Sequence, residues 1–250
     1  MKFMLLIYGA ELHESAQWRQ QSMRHPLSLS DELKNQGKWI TASLLHSVAT
    51  ATSVRVRDGQ RHVSDGPYAE TAQQLGGYCI IDADNRDEAL DIASRLPAAQ
   101  QGTIEIRPLL PLPESLTLPE DRASQPASTE ADFKDYIVLL YAEAGAWPAD
   151  EHAVALAESV QICHQLHAAG QFLSAAPLQP PATAACLRIR HGSRAVVDGP
   201  FAETKEQLGG YFLIRVRNLD EAIAIAARIP GSRRGTAEIR PLLPLVTTNA

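Results

Sequence analysis

Asp65-Gly66-Pro67-Tyr68-Ala69-Glu70-Thr71 returns 133 positions later as Asp198-Gly199-Pro200-Phe201-Ala202-Glu203-Thr204. The same offset carries Gln74-Leu75-Gly76-Gly77-Tyr78 onto Gln207-Leu208-Gly209-Gly210-Tyr211, and Glu105-Ile106-Arg107-Pro108 onto Glu238-Ile239-Arg240-Pro241. From Asp65 to Leu112 the two stretches are identical at 30 of 48 positions without a gap. Further upstream, Phe3-Met4-Leu5-Leu6-Ile7-Tyr8 lies over Tyr136-Ile137-Val138-Leu139-Leu140-Tyr141. A constant offset over this length marks a duplication. It sets a first domain at 1–112, a linker at 113–132 and a second domain at 133–250.

The linker holds Pro113, Pro119 and Pro126 among Ser and Thr, with five acidic residues against Arg122, and reads as a flexible, solvated acidic segment. It carries -4 of the net charge of -6, so the two copies are nearly balanced. Without a basic face or tail, direct nucleic-acid binding is not expected. The apolar run that opens the chain stops far short of the ~18 residues of a membrane span and lacks a signal-peptide cleavage site, so a cytoplasmic protein without a membrane partner is expected. Cys79, Cys163 and Cys186 have no paired spacing, which offers neither a disulfide framework nor a four-thiolate zinc site.

Within each copy the opening run is apolar at consecutive positions, as suits a strand covered on both faces. In copy 2 a helix is expected between Pro148 and Gly170, and Pro26 interrupts the equivalent stretch of copy 1. Val54–Val63 and Leu187–Val196 alternate apolar and polar residues around Asp58-Gly59 and His191-Gly192, which predicts one hairpin per copy. Strands at 77–81 and 210–214, helices at 86–96 and 219–229, and last strands at 103–107 and 236–240 complete the order. This is an α+β fold of two ferredoxin-like units. The open face of each sheet needs a cover, and the economical one is the other copy, in an intrachain pseudo-dimer.

The Asp-Gly-Pro-(Tyr/Phe)-Ala-Glu-Thr segments, the Asp87-Glu88-Ala89 and Asp220-Glu221-Ala222 helix starts and both Glu-Ile-Arg-Pro endings resemble the YCII-related, or DGPF, family. The resemblance spans nearly the whole chain outside the linker. It implies a dimeric α/β-barrel and an acidic residue beside a cleft, which makes Asp65 and Asp198 the catalytic candidates. A carboxylate there acts as a general base if burial raises its pKa. The opposing reading is that an Asp before Gly-Pro caps its own turn.

Glu70 and Glu203 follow closely enough to divide acid and base roles with the Asp, or to lie solvated. Arg107 and Arg240 suit an anionic substrate or a carboxylate partner. Lys205 and Glu206 stand where copy 1 has Ala72 and Gln73, which favours copy 2 as the active half. Arg55, Arg57, Arg188 and Arg190 read as the wet face of the hairpins. His164 and His167 lack a third ligand in a matching place, so no metal is expected, and no phosphate loop, nicotinamide fingerprint or nucleophile elbow points to a cofactor. Three classes stay open: a small-molecule enzyme or binding protein, a regulatory protein partner of an alternative sigma factor system in transcription, as the family resemblance implies, and a structural module. Further self-association of the chain belongs with the last two.

Overall fold

A computed structural model describes residues 1–9, 29–68, 73–123, 132–201 and 204–243. Copy 1 runs β1 (Lys2–Gly9), α1 (helical at 29–35), β2 (Trp39–Leu45), β3 (Thr52–Arg57), β4 (Gln60–Asp65), β5 (Gln74–Asp82), α2 (Arg86–Ser94), α3 (Ala98–Gln101) and β6 (Thr103–Pro108). Copy 2 repeats this as β7 (Lys134–Glu143), α4 (Ala149–Ala168), β8 (Phe172–Pro177), β9 (Ala185–Arg190), β10 (Ser193–Asp198), β11 (Glu206–Val216), α5 (Leu219–Arg228), α6 (Gly231–Arg234) and β12 (Gly235–Leu243). Pro26, with the kink expected there, lies outside the described residues.

Each copy builds an antiparallel ferredoxin-like sheet, in the orders β6-β1-β5-β2 and β12-β7-β11-β8. The central strands β1 and β7 are apolar at consecutive positions over Phe3–Leu6 and Tyr136–Leu139, the stretches where both of their faces are covered. Phe3 and Leu5 point to a helix-side core with Leu90 and Ala93. Met4 and Leu6 point the other way and meet Ile137, Leu139 and Leu213 of the second sheet. The two sheets therefore face each other within one chain, as an α/β-barrel-like pseudo-dimer. Leu242 and Leu243 of β12 pair with Leu45 and Leu44 of β2 at one seam. At the opposite seam a single bridge, Leu109 with Leu178, stands in place of a ladder, so the barrel is not closed by continuous pairing.

The hairpins cross over. β3 pairs with β12 of copy 2, and β9 pairs with β6 of copy 1. Val54 joins the helix-side core of copy 2, while Ala185 and Leu187 join that of copy 1. Their turns place Asp58, Gly59, His191 and Gly192 at positive φ (52°, 74°, 50° and 77°), the mirror-image turn that suits the twist of a two-residue hairpin.

The hairpin arginines lie on the wet side of their strands, Arg55, Arg188 and Arg190 exposed and Arg57 half-buried, and from there they fasten the exchange. Arg57 donates to the carbonyls of Ser232 (2.9 Å), Arg233 (3.1 Å) and Gly235 (3.0 Å) at the end of α6. Arg190 does the same for Gln100 (2.9 Å) and Gly102 (3.0 Å) at the end of α3. Arg55 and Arg188 donate to Thr236 and Thr103 Oγ1, each at 2.7 Å. Cations thus meet the orphan carbonyls of short helices across the copy boundary.

Local signals fix the remaining elements. Asn85 and Asn218 cap α2 and α5 by accepting from the Glu88 and Glu221 amides, both at 3.0 Å. Gly76 and Gly209 fall where the β1–β5 and β7–β11 registers shift, as bulges. Residues 113–123 of the linker are exposed or half-buried, as a solvated segment is, yet they are tied to the sheets. Just before it Leu110 N donates to Pro177 O (2.9 Å), and within it Arg122 N donates to Leu173 O and Thr41 Oγ1 to Ala123 O (2.9 Å).

Candidate functional site

The exchange decides where the motif residues go. Asp65 and Asp198 end β4 and β10, strands exposed along their whole length, and the Asp198 side chain is 80% exposed and paired with Arg86 of copy 1. Burial, the condition for a general base, is not met there. Gly66 and Gly199 follow at φ 95° and 102°, a region open to glycine, and turn the chain back toward the sheet. Glu70 and Glu203 lie outside the described residues.

The residue after the proline docks on the other copy. Tyr68 N donates to Glu238 Oε2 and Phe201 N to Glu105 Oε2, both at 2.9 Å. The Tyr68 ring stacks on Tyr141 at 5.1 Å and Phe201 on Tyr8 at 4.4 Å. Arg55 and Arg188 lie over the Tyr68 and Phe201 rings at 6.0 and 5.9 Å.

Arg107 and Arg240 have a carboxylate partner, and it is a buried glutamate of their own strand. Each is 1% exposed and bonds its own strand neighbour two residues back, Glu105 (3.1 Å) or Glu238 (3.4 Å). Arg107 also donates to Gln179 O (2.7 Å) and Leu208 O (2.9 Å), and Arg240 to His46 O (2.6 Å). Both carboxylate oxygens of each Glu are thereby occupied, one by the guanidinium and one by the loop amide. The arrangement is an electrostatic latch that sets the register of the Asp-Gly-Pro loop. Burial pushes Glu238 above the ordinary carboxylate range, against the opposing pull of the Tyr68 amide and Arg240. Sequence reading passed over both glutamates. Their signal is the Glu-x-Arg spacing on a strand, which puts the two charges on one face.

Lys205 does not complete a site around Asp198. It is 79% exposed and pairs with Glu143 at 2.7 Å. The neighbouring Glu206 belongs with the copy 1 loop, since its amide donates to the Tyr68 hydroxyl (3.0 Å) while its Oε2 accepts from Thr236 (2.7 Å). The residues that distinguish copy 2 in sequence therefore gather around Tyr68, while in copy 1 Gln73, the counterpart of Glu206, accepts from Thr103 Oγ1 at 3.1 Å.

Concavity lies elsewhere. A cavity of about 160 Å³ opens between the second sheet and α4, lined by Leu140, Leu156, Val160 and Phe212 with Tyr141, His152, Ser159 and Cys163. Gly209 and Gly210 of the bulged strand contribute backbone only, and Trp147 stands beside them with Arg234 at 5.3 Å from its ring. Two exposed ion pairs, Arg234–Glu151 and Arg233–Glu158, clip α6 to α4. Burial raises the Tyr141 hydroxyl well above its ordinary value, helped by Glu238, and pushes the Cys163 thiol up to about 12. Both stay protonated at neutral pH, as hydrogen-bonding groups rather than nucleophiles. Among the described residues, no three His, Cys, Asp or Glu side chains group as metal ligands, and no helix is long and apolar enough to cross a membrane.

Comparison with known proteins follows this geometry. An uncharacterized protein of Rhizobium meliloti (strain 1021) is 38% identical over 112 residues, covering 43% of this chain and 90% of its own. A solved structure whose protein carries the provisional name chlorite dismutase covers 98% of this chain and 95% of its own, at 10% identity and a TM-score of 0.42. The YCII-related domain matches twice, over residues 1–113 and 135–246. The chain belongs to the YCII-related family and carries its domain in tandem.

Proposed function

We propose that the protein binds a small, largely apolar molecule, about the size of one substituted ring, in the cavity between the second sheet and α4. The cavity itself carries this reading. At about 160 Å³ it matches the scale at which apolar protein cavities accept benzene-sized guests. Its walls are aliphatic and aromatic with a few polar groups, the usual make-up of a small-molecule site. Tyr141 supplies a protonated hydroxyl, and the copy 1 loop holds its ring in place by stacking Tyr68 on it, with Tyr68 latched by Glu238. The family motif then acts as a positioning device for the cavity of the opposite copy, and Asp65 and Asp198 close their hairpins at a distance from the ligand.

The test is a fluorine NMR titration of the full chain with 4-fluorophenol. Saturable binding at one equivalent is expected, together with a thermal stabilisation that grows with ligand, about 2.7 kcal/mol at a hundredfold excess over Kd. Leu156→Trp fills the cavity from α4 and should weaken binding tenfold or more. Unchanged binding in that variant, or none in the wild type, would remove the reading.

A further inference from the structure

The end of copy 1 and the described half of the linker, residues 109–123, form an arch tied at both ends to β8 and the residue after it. At its start Leu109 bridges Leu178 and Leu110 N donates to Pro177 O at 2.9 Å. At its finish Arg122 N reaches Leu173 O and Asp121 takes the Ser174 hydroxyl at 2.7 Å. His164 of α4 contacts Thr117 O at 2.8 Å and holds the middle from the side. Beneath the arch is a cavity of about 650 Å³, four times the volume of the one beside α4. Leu110, Leu116 and Leu118 form its outer wall, while Ile40, Ile80 and Phe172 form the inner one. Leu116 and Leu118 stand at linker positions, where solvated residues would serve a mere tether, and this wall explains them.

Lys2, Glu114 and Thr117 also line the cavity, and a hydrogen-bonded chain of Asp121, Ser174 and Tyr211 enters it, with proton directions that follow from chemistry. The Asp121 carboxylate only accepts, so Ser174 gives its single proton to Asp121. The 3.3 Å contact between Ser174 Oγ and Tyr211 must then take its proton from Tyr211. Tyr211 and Ser174 are each 2% exposed, and both line the cavity. With its proton committed, the Tyr211 oxygen presents lone pairs alone. A guest that brings a donor is favoured there, and one that brings only an acceptor is not.

We propose that the space under the linker is a second ligand site, specific for an apolar molecule larger than a single ring that carries a hydroxyl donor to Tyr211. It adjoins the α4 cavity across a shared wall of Leu112, Leu118, Ala175, Ala176 and Pro177, and its own lining of Ile40, Ile80, Ser174 and Tyr211 sets it apart, so that Leu116→Trp and Leu156→Trp distinguish failure of one site from failure of the other. The probes are 2-naphthol and 2-methoxynaphthalene, which share an apolar body and differ in the donor, titrated by ligand fluorescence against the full chain. The wild type should bind 2-naphthol at one equivalent and about fivefold more tightly than the ether. Leu116→Trp, a surface-segment change that leaves the fold's core alone, should weaken both probes tenfold or more, whereas Leu156→Trp should leave both unchanged. Tyr211→Phe should abolish the preference. Ser174→Ala removes the acceptor of the Tyr211 proton and should narrow the preference, since that proton is then offered to the ether and the naphthol oxygen alike. Binding insensitive to Leu116→Trp, a preference that survives Tyr211→Phe or is undiminished in Ser174→Ala, or no saturable binding to the wild type would overturn the proposal.

Discussion

Replacing Glu238 by Ala isolates the latch that joins the two copies. The substitution strips Arg240, itself 1% exposed, of its charge partner and removes the acceptor that holds the Tyr68 amide at 2.9 Å. Breaking a buried ion pair from one side leaves an uncompensated charge and costs about 3–5 kcal/mol. That is a large share of the roughly 5–15 kcal/mol that keeps a domain folded. Removing both charges is another matter. Glu238→Met with Arg240→Met leaves no buried charge, and such replacements are neutral to stabilising in comparable sites. Here the double variant also frees His46 O, which Arg240 had bonded at 2.6 Å, and the Tyr68 amide, which Glu238 had held at 2.9 Å, so a net loss of about 2 kcal/mol is expected. Urea denaturation followed by circular dichroism measures Glu238→Ala, Glu238→Met, Arg240→Met and the double variant against the wild type. The latch argument is refuted if Glu238→Ala costs under about 1 kcal/mol, or if the double variant loses as much as the two single changes added together.

Glu238 is held above the ordinary carboxylate value of 4.5, chiefly by burial, so the folded chain binds its proton more tightly than the unfolded chain. Its contribution is therefore fully present below that value and is lost as pH rises through the raised one; Glu238→Gln should flatten the fall in stability above pH 4.5, and an unaltered slope would contradict the assignment. An added Cβ at Gly102 or Gly235 would sit 1.9 Å from the Tyr8 or Tyr141 carbonyl, so Gly102→Ala and Gly235→Ala should each cost about 2 kcal/mol or more by thermal denaturation, and near-neutral behaviour would show that the backbone there yields. Specific cleavage between Pro113 and Asp132 should leave the halves together on size-exclusion chromatography, because the β3–β12 and β6–β9 ladders cross the boundary. Elution as two separate halves would count against the exchanged hairpins.

The repeat at a fixed offset determined that there are two copies, and the unbroken apolar runs at Phe3–Leu6 and Tyr136–Leu139 determined that their central strands are covered on both faces. Both conclusions rest on local periodicity, which a chain displays before it folds. The helix starts at Asn85 and Asn218 and the hairpin turns at Asp58-Gly59 and His191-Gly192 were legible for the same reason. The exchange of hairpins was not. Val54 in one copy and Leu187 in the other fit either helix-side core, since duplication makes the two partners chemically alike, and only the three-dimensional path of the chain selects between them. That choice carried the rest of the site with it. It moved Lys205 and Glu206 to the Tyr68 loop, turned the hairpin arginines into fasteners and left Asp198 on the surface. Glu105 and Glu238 looked like ordinary strand charges, because burial of an ion pair depends on what packs above it and not on its own spacing. The cavities were the least legible of all, being volumes left between elements whose separation no local pattern encodes.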